Sequence, residues 1–299
     1  MSEQFDPKKF ERVSKEAAKA SAEVLRPFLL GVSKIKGRVV KPDATMKTIA
    51  DDLSEQAAFP ILRRAYPDIP IIREEAGLSE GVGDLVIMLD ALDGTRAFTY
   101  GSGTFAVIIT MYNRKLKSLL ATAIMDPTGM RFWFASLSQG CTRTAFDPTT
   151  GKQLYRPKRC RVWNGSHKVN GAVVYIDSYP HFTKDRRVIL SDFQINRLSG
   201  LLFPIVSKHE YGSNGYHLAL VANGNFLVAG GITTAIGGAW DISGLVLVLE
   251  AGGCCVGVKI DKGVPYFYDP LDPFCELLVY ANNQDTLQFL CQQLEATFI

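Results

Sequence analysis

Ile87-Met88-Leu89-Asp90-Ala91-Leu92-Asp93-Gly94-Thr95-Arg96-Ala97-Phe98 reads as an apolar strand that ends in an acid, turns at glycine and restarts as a helix. Asp90 and Asp93 lie close enough across that turn to share cations, because carboxylate and carbonyl oxygens are the ligands that hard divalent ions such as Mg2+ prefer. Gly94 lets the backbone approach a ligand closely, and a helix starting at Thr95 turns free N–H groups toward a phosphate. Taken alone, the same residues also describe an Asp-rich turn followed by a helix cap. An EF-hand loop is excluded, since the further oxygen donors and closing glutamate it needs do not follow.

Two other acidic positions lie outward from this stretch. Glu74 and Glu75 end the preceding strand-like run, from which a hairpin folds a third carboxylate back to the cations. Asp241 follows a Gly-rich apolar stretch in Ala239-Trp240-Asp241-Ile242-Ser243-Gly244 and precedes a helical run. It suits an N-cap, but an aspartate at the end of a buried segment carries a desolvation cost that a metal would offset.

Upstream, Asp6 and Pro7 open a long amphipathic helix carrying Phe10, Val13, Ala17, Ala20, Val24 and Phe28 at helical spacing. A second helix is expected from Thr45 to Tyr66, kinked at Pro60. Strand-like runs follow over residues 69–73, 85–90, 105–112, 119–125 and 131–135, a meandering sheet. The polar, basic residues 147–166 mark a boundary, giving an N-terminal α+β half over 1–165 and a C-terminal α/β half over 166–299. In the second half, strands at 172–176, 188–190, 226–229, 254–259 and 277–280 alternate with helices at 213–222, after Asp241 and at 284–294.

Composition bounds the rest. The chain has 299 residues, enough for one large α/β domain or two fused halves, and 47% hydrophobic residues exclude disorder. A balance of 33 basic and 30 acidic residues names no nucleic-acid or anionic-membrane partner. Cys141, Cys160, Cys254, Cys255, Cys275 and Cys291 lack zinc-site spacing and read as reduced thiols. The uncharged run from Leu218 to Trp240 is rich in glycine and reads as buried core, not a membrane span. A charged start without an apolar signal segment makes a cytoplasmic protein the expectation. The four histidines, 167, 181, 209 and 217, show no ligand spacing. The basic, aromatic run 155–163 reads as a solvated face.

The acidic segments together resemble the inositol monophosphatase superfamily of Mg2+-dependent, lithium-sensitive phosphatases over nearly the whole chain. The first family signature, Asp-Pro-Ile/Leu-Asp-Gly-Thr/Ser, is similar to Asp90-Ala91-Leu92-Asp93-Gly94-Thr95, and the second, Trp-Asp-x-Ala-Ala/Gly, to Trp240-Asp241-Ile242-Ser243-Gly244. Lys41-x-Asp43-x-Thr45, Thr48-x-Ala50-Asp51 and Gly212-Ser213 resemble further family elements.

The resemblance implies a layered αβαβα sandwich of the inositol monophosphatase and fructose-1,6-bisphosphatase type, and a homodimer. It implies one Mg2+ held by Glu74, Asp90 and the Leu92 carbonyl, a second held by Asp90, Asp93 and Asp241, and a third, weaker ion near Glu74. It further implies that Thr95, backed by Asp51, orients and helps deprotonate the attacking water. Gly94 and Thr95 would grip phosphate, and Ser213 and Asn214 would lie on the substrate side with Asp241. The implied partner is a small phosphorylated metabolite: an inositol phosphate, 3′-phosphoadenosine 5′-phosphate or a sugar phosphate, with the Lys41 and Thr48 elements tilting toward the nucleotide. A catalytically silent relative that binds a phosphorylated ligand or a protein is the alternative.

Four departures accompany the resemblance. Ala91 replaces a proline, Arg73 replaces a glycine and adds a cation beside Glu74, and Leu245 replaces a glycine in a segment one residue shorter than usual. Thr234 stands where inositol monophosphatases place a glutamate for inositol hydroxyls, so myo-inositol monophosphate is not implied as the substrate.

Overall fold

A computed structural model describes residues 5–31, 33–41, 46–176, 189–202, 207–209, 212–234, 239–261, 264–268, 270–271 and 275–298. Helix α1 (Pro7–Leu29) opens as its sequence dictates. The Asp6 carboxylate accepts hydrogen bonds from the Lys8 and Lys9 amides, and Pro7 occupies the first turn, where no N–H is needed. A short antiparallel hairpin, β1 (Val39–Val40) and β2 (Met46–Lys47), leads into α2 (Ile49–Ala65). The expected start of α2 at Thr45 lies outside the described residues; the helix is capped at Thr48, which exchanges bonds with Asp51, and it runs through Pro60 to Ala65.

The first large sheet contains β3 (Ile71–Arg73), β4 (Gly77–Leu78) and β5 (Leu85–Asp93). After the short helix α3 (Thr95–Tyr100) it continues through β6 (Ala106–Asn113), β7 (Ser118–Asp126), β8 (Arg131–Ser136), β9 (Gly140–Ala145) and β10 (Lys158–Arg159). The meander from β5 to β10 is antiparallel as expected. The expectation for Glu74 is corrected in one respect. It reaches β5 not through a hairpin but because β3 runs parallel to β5, with Arg73 opposite Leu89.

The second sheet collects β11 (Val173–Ile176), β12 (Ser207–His209), β13 (Val228–Thr234), β14 (Cys254–Asp261), β15 (Val264–Tyr268) and β16 (Leu277–Ala281) in the order β12-β11-β13-β16-β14-β15. Its helices are α4 (Asp192–Leu202), α5 (Asn214–Ala222), α6 (Trp240–Ser243), α7 (Leu245–Glu250) and α8 (Gln284–Ala296). Three sequence expectations change here. The strand expected over 188–190 is not one: Val188 lies outside the described residues, and Ile189 and Leu190 form a bend just before α4. Helix α4 was not anticipated, and β13 starts at Val228 because Phe226 is an exposed turn residue. Gly230 and Gly231 sit inside β13 because a Cβ at either would collide with Tyr280 on the neighbouring β16.

Three apolar cores join five layers, the middle one running along both sides of the central helices. Phe10, Ala17, Leu25 and Leu62 of α1 and α2 pack on one face of the first sheet with Ile87, Leu89 and Ile109. The other face, with Met88, Ile108 and Ile124, packs on α5, α6 and α7, which also cover Tyr280 of the second sheet. Ile195 and Leu198 of α4 and Leu287 and Leu290 of α8 close the outer face over Ile232 and Val279. Each such fully buried large side chain contributes about 1.5–3 kcal/mol relative to exposure, which fixes the layer order helix, sheet, helix, sheet, helix. No helix among the described residues is long and apolar enough to cross a membrane.

Candidate active site

In an unbroken strand, residues three apart point to opposite faces, so Asp90 and Asp93 would diverge. The pairing of β5 with β6 prevents this. Asp90 lies opposite Ile108 but Asp93 lies opposite Ala106, so β5 carries one extra residue at this point and the bulge reverses the alternation. The Leu92 amide donates to Asp90 Oδ1 at 2.9 Å and fixes the bulge from within. Gly94 follows at φ 89°, and its missing Cβ leaves room for Ser213, which would stand 3.0 Å from such an atom.

Helix α3 then begins at Thr95, whose hydroxyl donates to Asp51 Oδ1 at 2.7 Å and lies 3.2 Å from the Leu92 carbonyl oxygen. Asp51 Oδ2 accepts from the Thr48 amide and hydroxyl, both at 2.7 Å. Burial pushes the Asp51 carboxyl up to about 6 against the opposing effect of these hydrogen bonds. One residue of the capping box is therefore also the partner of Thr95.

Asp241 arrives from the other side of the middle core, on α6, which packs on β5 and β6. It is not the N-cap that its sequence suggests. Ala239 holds that position without a side-chain bond, and Asp241 lies inside the first turn. A carboxylate oxygen each from Asp90, Asp93 and Asp241 falls within 4.8 Å of the others; Asp90 and Asp93 are buried and Asp241 is half-buried. The Glu74 amide donates to the Leu89 carbonyl at 3.1 Å, and the charge of its carboxylate acts on Asp90. Burial raises the Asp90 carboxyl well above the usual range, and the charges of Glu74, Asp93 and Asp241 raise it further. Glu74 rises as well, chiefly through burial.

The cation facing Glu74 is Lys41, not Arg73. Lys41 Nζ lies 2.8 Å from Glu74 Oε1 and 2.7 Å from Glu75 Oε1. Burial opposes its charge, yet the two glutamates hold its pKa above the ordinary lysine value. Lys47 adds a second bridge, 2.9 Å to Glu75 and 2.6 Å to Asp52. The Arg73 guanidinium instead lies 4.1 Å over the Phe59 ring and 3.5 Å from Glu55, which corrects the expectation that it adds charge beside Glu74. The two Lys41 ties link residues 33 and 34 positions apart, and no local spacing announces them.

Ser213 and Asn214 begin α5. The Ser213 hydroxyl donates to Asp93 Oδ2 and accepts from the Tyr216 amide at 2.8 Å, while the Gly215 amide donates to the same Asp93 oxygen at 2.8 Å. Ser213 thereby braces a carboxylate as well as capping a helix, and the Gly215 amide was not singled out from sequence. Asn214 Nδ2 donates to the Thr234 carbonyl at 3.2 Å, joining α5 to the end of β13. Asp43 and Thr45 lie outside the described residues.

The donor chemistry fits a hard divalent cation. The converging groups are all carboxylates, their like charges raise the buried Asp90 carboxyl, and no thiol or imidazole belongs to the cluster. Among the described residues this is the one group of three or more such ligands.

Known proteins resemble this chain over most of its length. The inositol monophosphatase family model matches residues 6–297. The chain is 30% identical over 213 residues to a Nus factor SuhB of Pseudomonas aeruginosa, covering 69% of this chain and 70% of that protein. It is 25% identical over 247 residues to a fructose-1,6-bisphosphatase/inositol-1-monophosphatase of Aquifex aeolicus, covering 82% and 84%. Among solved structures, the extragenic suppressor protein suhB from Bartonella henselae aligns with a TM-score of 0.72 at 21% identity, covering 95% of this chain and 97% of that one. An inositol monophosphatase from Anabaena aligns at 0.69 and 22% identity, covering 96% of each.

Proposed function

The chain belongs to the inositol monophosphatase family, and from that premise we propose that it is a Mg2+-dependent phosphomonoesterase acting on a small phosphorylated metabolite. The observation that carries the reading is the convergence of Asp90, Asp93 and Asp241 across the middle core. Glu74, Asp90 and the Leu92 carbonyl would hold one ion, and Asp90, Asp93 and Asp241 a second. Bound there, Mg2+ supplies the positive charge that acidifies water and neutralises the charge developing on phosphoryl and leaving-group oxygens.

The chain's own residues do the rest. Thr95 points its proton at Asp51, so its oxygen lone pairs are turned outward to accept a proton from water, and Asp51 takes the Thr95 proton in the same relay. An Asp51 carboxyl near 6 is ionised at neutral pH and close enough to it to accept that proton. The Gly94 and Thr95 amides open α3 and would receive phosphate oxygens, while Ser213 and Gly215 hold Asp93 in its orientation.

Phosphate release should be measured over inositol phosphates, sugar phosphates and 3′-phosphonucleotides, with Mg2+ and with chelator. Release in at least one class that stops with chelator is expected, and lithium should suppress it. Thr95→Ala should lower kcat by about 10²-fold or more with KM little changed. No release from any substrate would favour a phosphate-ligand or protein-binding module, the reading that the relatives named Nus factor SuhB keep open.

A further inference from the structure

Two hydroxyls lie at the centre of an otherwise apolar sheet face. Thr110 on β6 and Thr122 on β7 are fully buried and directly opposite each other, with their oxygens 3.3 Å apart. Around them pack Met88, Ile108, Ile124, Ile242 and Leu245. A buried hydroxyl in such surroundings is costly unless it is bonded, so its partner indicates what it does.

That partner lies across the middle core. The Thr122 hydroxyl donates to the Ser243 carbonyl at 2.8 Å. In a continuous helix that carbonyl would accept from the Leu247 amide, four residues on. Here the ladder is broken between α6 and α7, and the Leu247 amide turns to Gly244 at 3.0 Å. The break leaves Ser243 without its helical donor, and Thr122 fills the vacancy from the opposing sheet. Two residues before Ser243 stands Asp241. On the sheet side, Thr110 lies opposite Met88, two residues before Asp90.

We propose that Thr122 is a positioning residue for Asp241, pinning the short helix that carries this carboxylate to the sheet that carries Asp90 and Asp93. The inference rests on the reading of these three acids as cation ligands. A four-residue helix has little rigidity of its own, so the distance between Asp241 and the other two acids is set by what anchors its backbone. Thr122→Val keeps the shape of the side chain and deletes the donor. The orphaned carbonyl is then free to tilt the helix toward another donor, carrying Asp241 with it.

The test is calorimetric titration of Mg2+ into the full chain, alongside the Mg2+ dependence of phosphate release. Thr122→Val should weaken cation binding about 10-fold, the usual size of a lost outer-shell contact, while Thr122→Ser, which keeps the hydroxyl, should bind as wild type does. Thr110→Val removes an equally buried hydroxyl that does not touch Ser243 and should shift binding by less than about twofold. Wild-type affinity in Thr122→Val, or an equal loss in Thr110→Val, would overturn the proposal. Asp241→Asn separates the two claims: if it leaves titration unchanged, the ligand reading itself fails; if it weakens binding while Thr122→Val does not, only the positioning role fails. Should Thr122→Val not fold, Thr122→Cys, with a weak donor of similar size, carries the same expectation and the same refutation.

Discussion

Asp90 carries the sharpest conflict between stability and chemistry in the molecule. It is 2% exposed, with three other carboxylates acting on it, so the metal-free chain holds it at the expense of its own stability. Asp90→Asn should therefore raise Tm in chelator by roughly 2 °C or more, the response to relieving about 1 kcal/mol of like-charge repulsion. On the proposed cation reading, Mg2+ should stabilise wild type thermally, and the same variant should lose that gain. Differential scanning calorimetry with chelator and with Mg2+ measures both, and a lower Tm in chelator would contradict the electrostatic account.

The pH response of the metal-free chain follows from the same side chains. Asp51 moves from 3.8 to about 6 on folding, and Glu74 and Asp90 move upward too. Between those values the folded chain holds more protons than the unfolded one, so stability falls as pH rises through 6 and is greatest below the unfolded value. Lowering pH from 7.5 to 5 in chelator should raise Tm by about 5 °C. Saturating Mg2+ should flatten that rise, since a cation then does what the protons did.

At the scale of elements, what was legible in sequence was local. Asp6-Pro7 and Asn223-Gly224 mark their helix ends because capping depends on neighbours in the chain, whereas the Thr48–Asp51 cap reads only as a family element and the sequence starts that helix at Thr45. The strand through Asp90 was legible for the same reason, although it runs on to Asp93 and the bulge that aligns the two acids depends on β6. Helix α4 escaped notice because only Ile195, Leu198 and Leu202 of its five large apolar residues are buried, and the exposed Phe193 blurs the stripe. Strand β13 was misplaced because Gly230 and Gly231 have no strand preference and are explained only by Tyr280 on another strand. Likewise Arg73 was assigned by adjacency to Glu74, whereas its partners Phe59 and Glu55 come from α2. Arg73→Met should thus lower Tm by about 2 °C through loss of the cation–π contact and the Glu55 pairing. It should leave the Mg2+ concentration for half-maximal rate within about twofold, because that charge is already committed elsewhere. A large drop in the Mg2+ requirement would restore Arg73 as a neighbour of the metal.

At the scale of the whole molecule, the acids of the site come from opposite sides of one core. Asp90 and Asp93 belong to the first sheet, and Asp241 to the helical layer between the sheets. The order of the layers follows from apolar patterning, but the meeting of these residues depends on how the second half of the chain docks, which no stretch of sequence encodes alone. The order also has a consequence during synthesis. A ribosome releases Asp90 and Asp93 long before Asp241, so a growing chain first makes a sheet whose acids face a partner not yet built. On the proposed assignment, the cation shared by Asp90, Asp93 and Asp241 can be clasped only when that late helix arrives, so its uptake would mark the moment at which the two sides of the site meet.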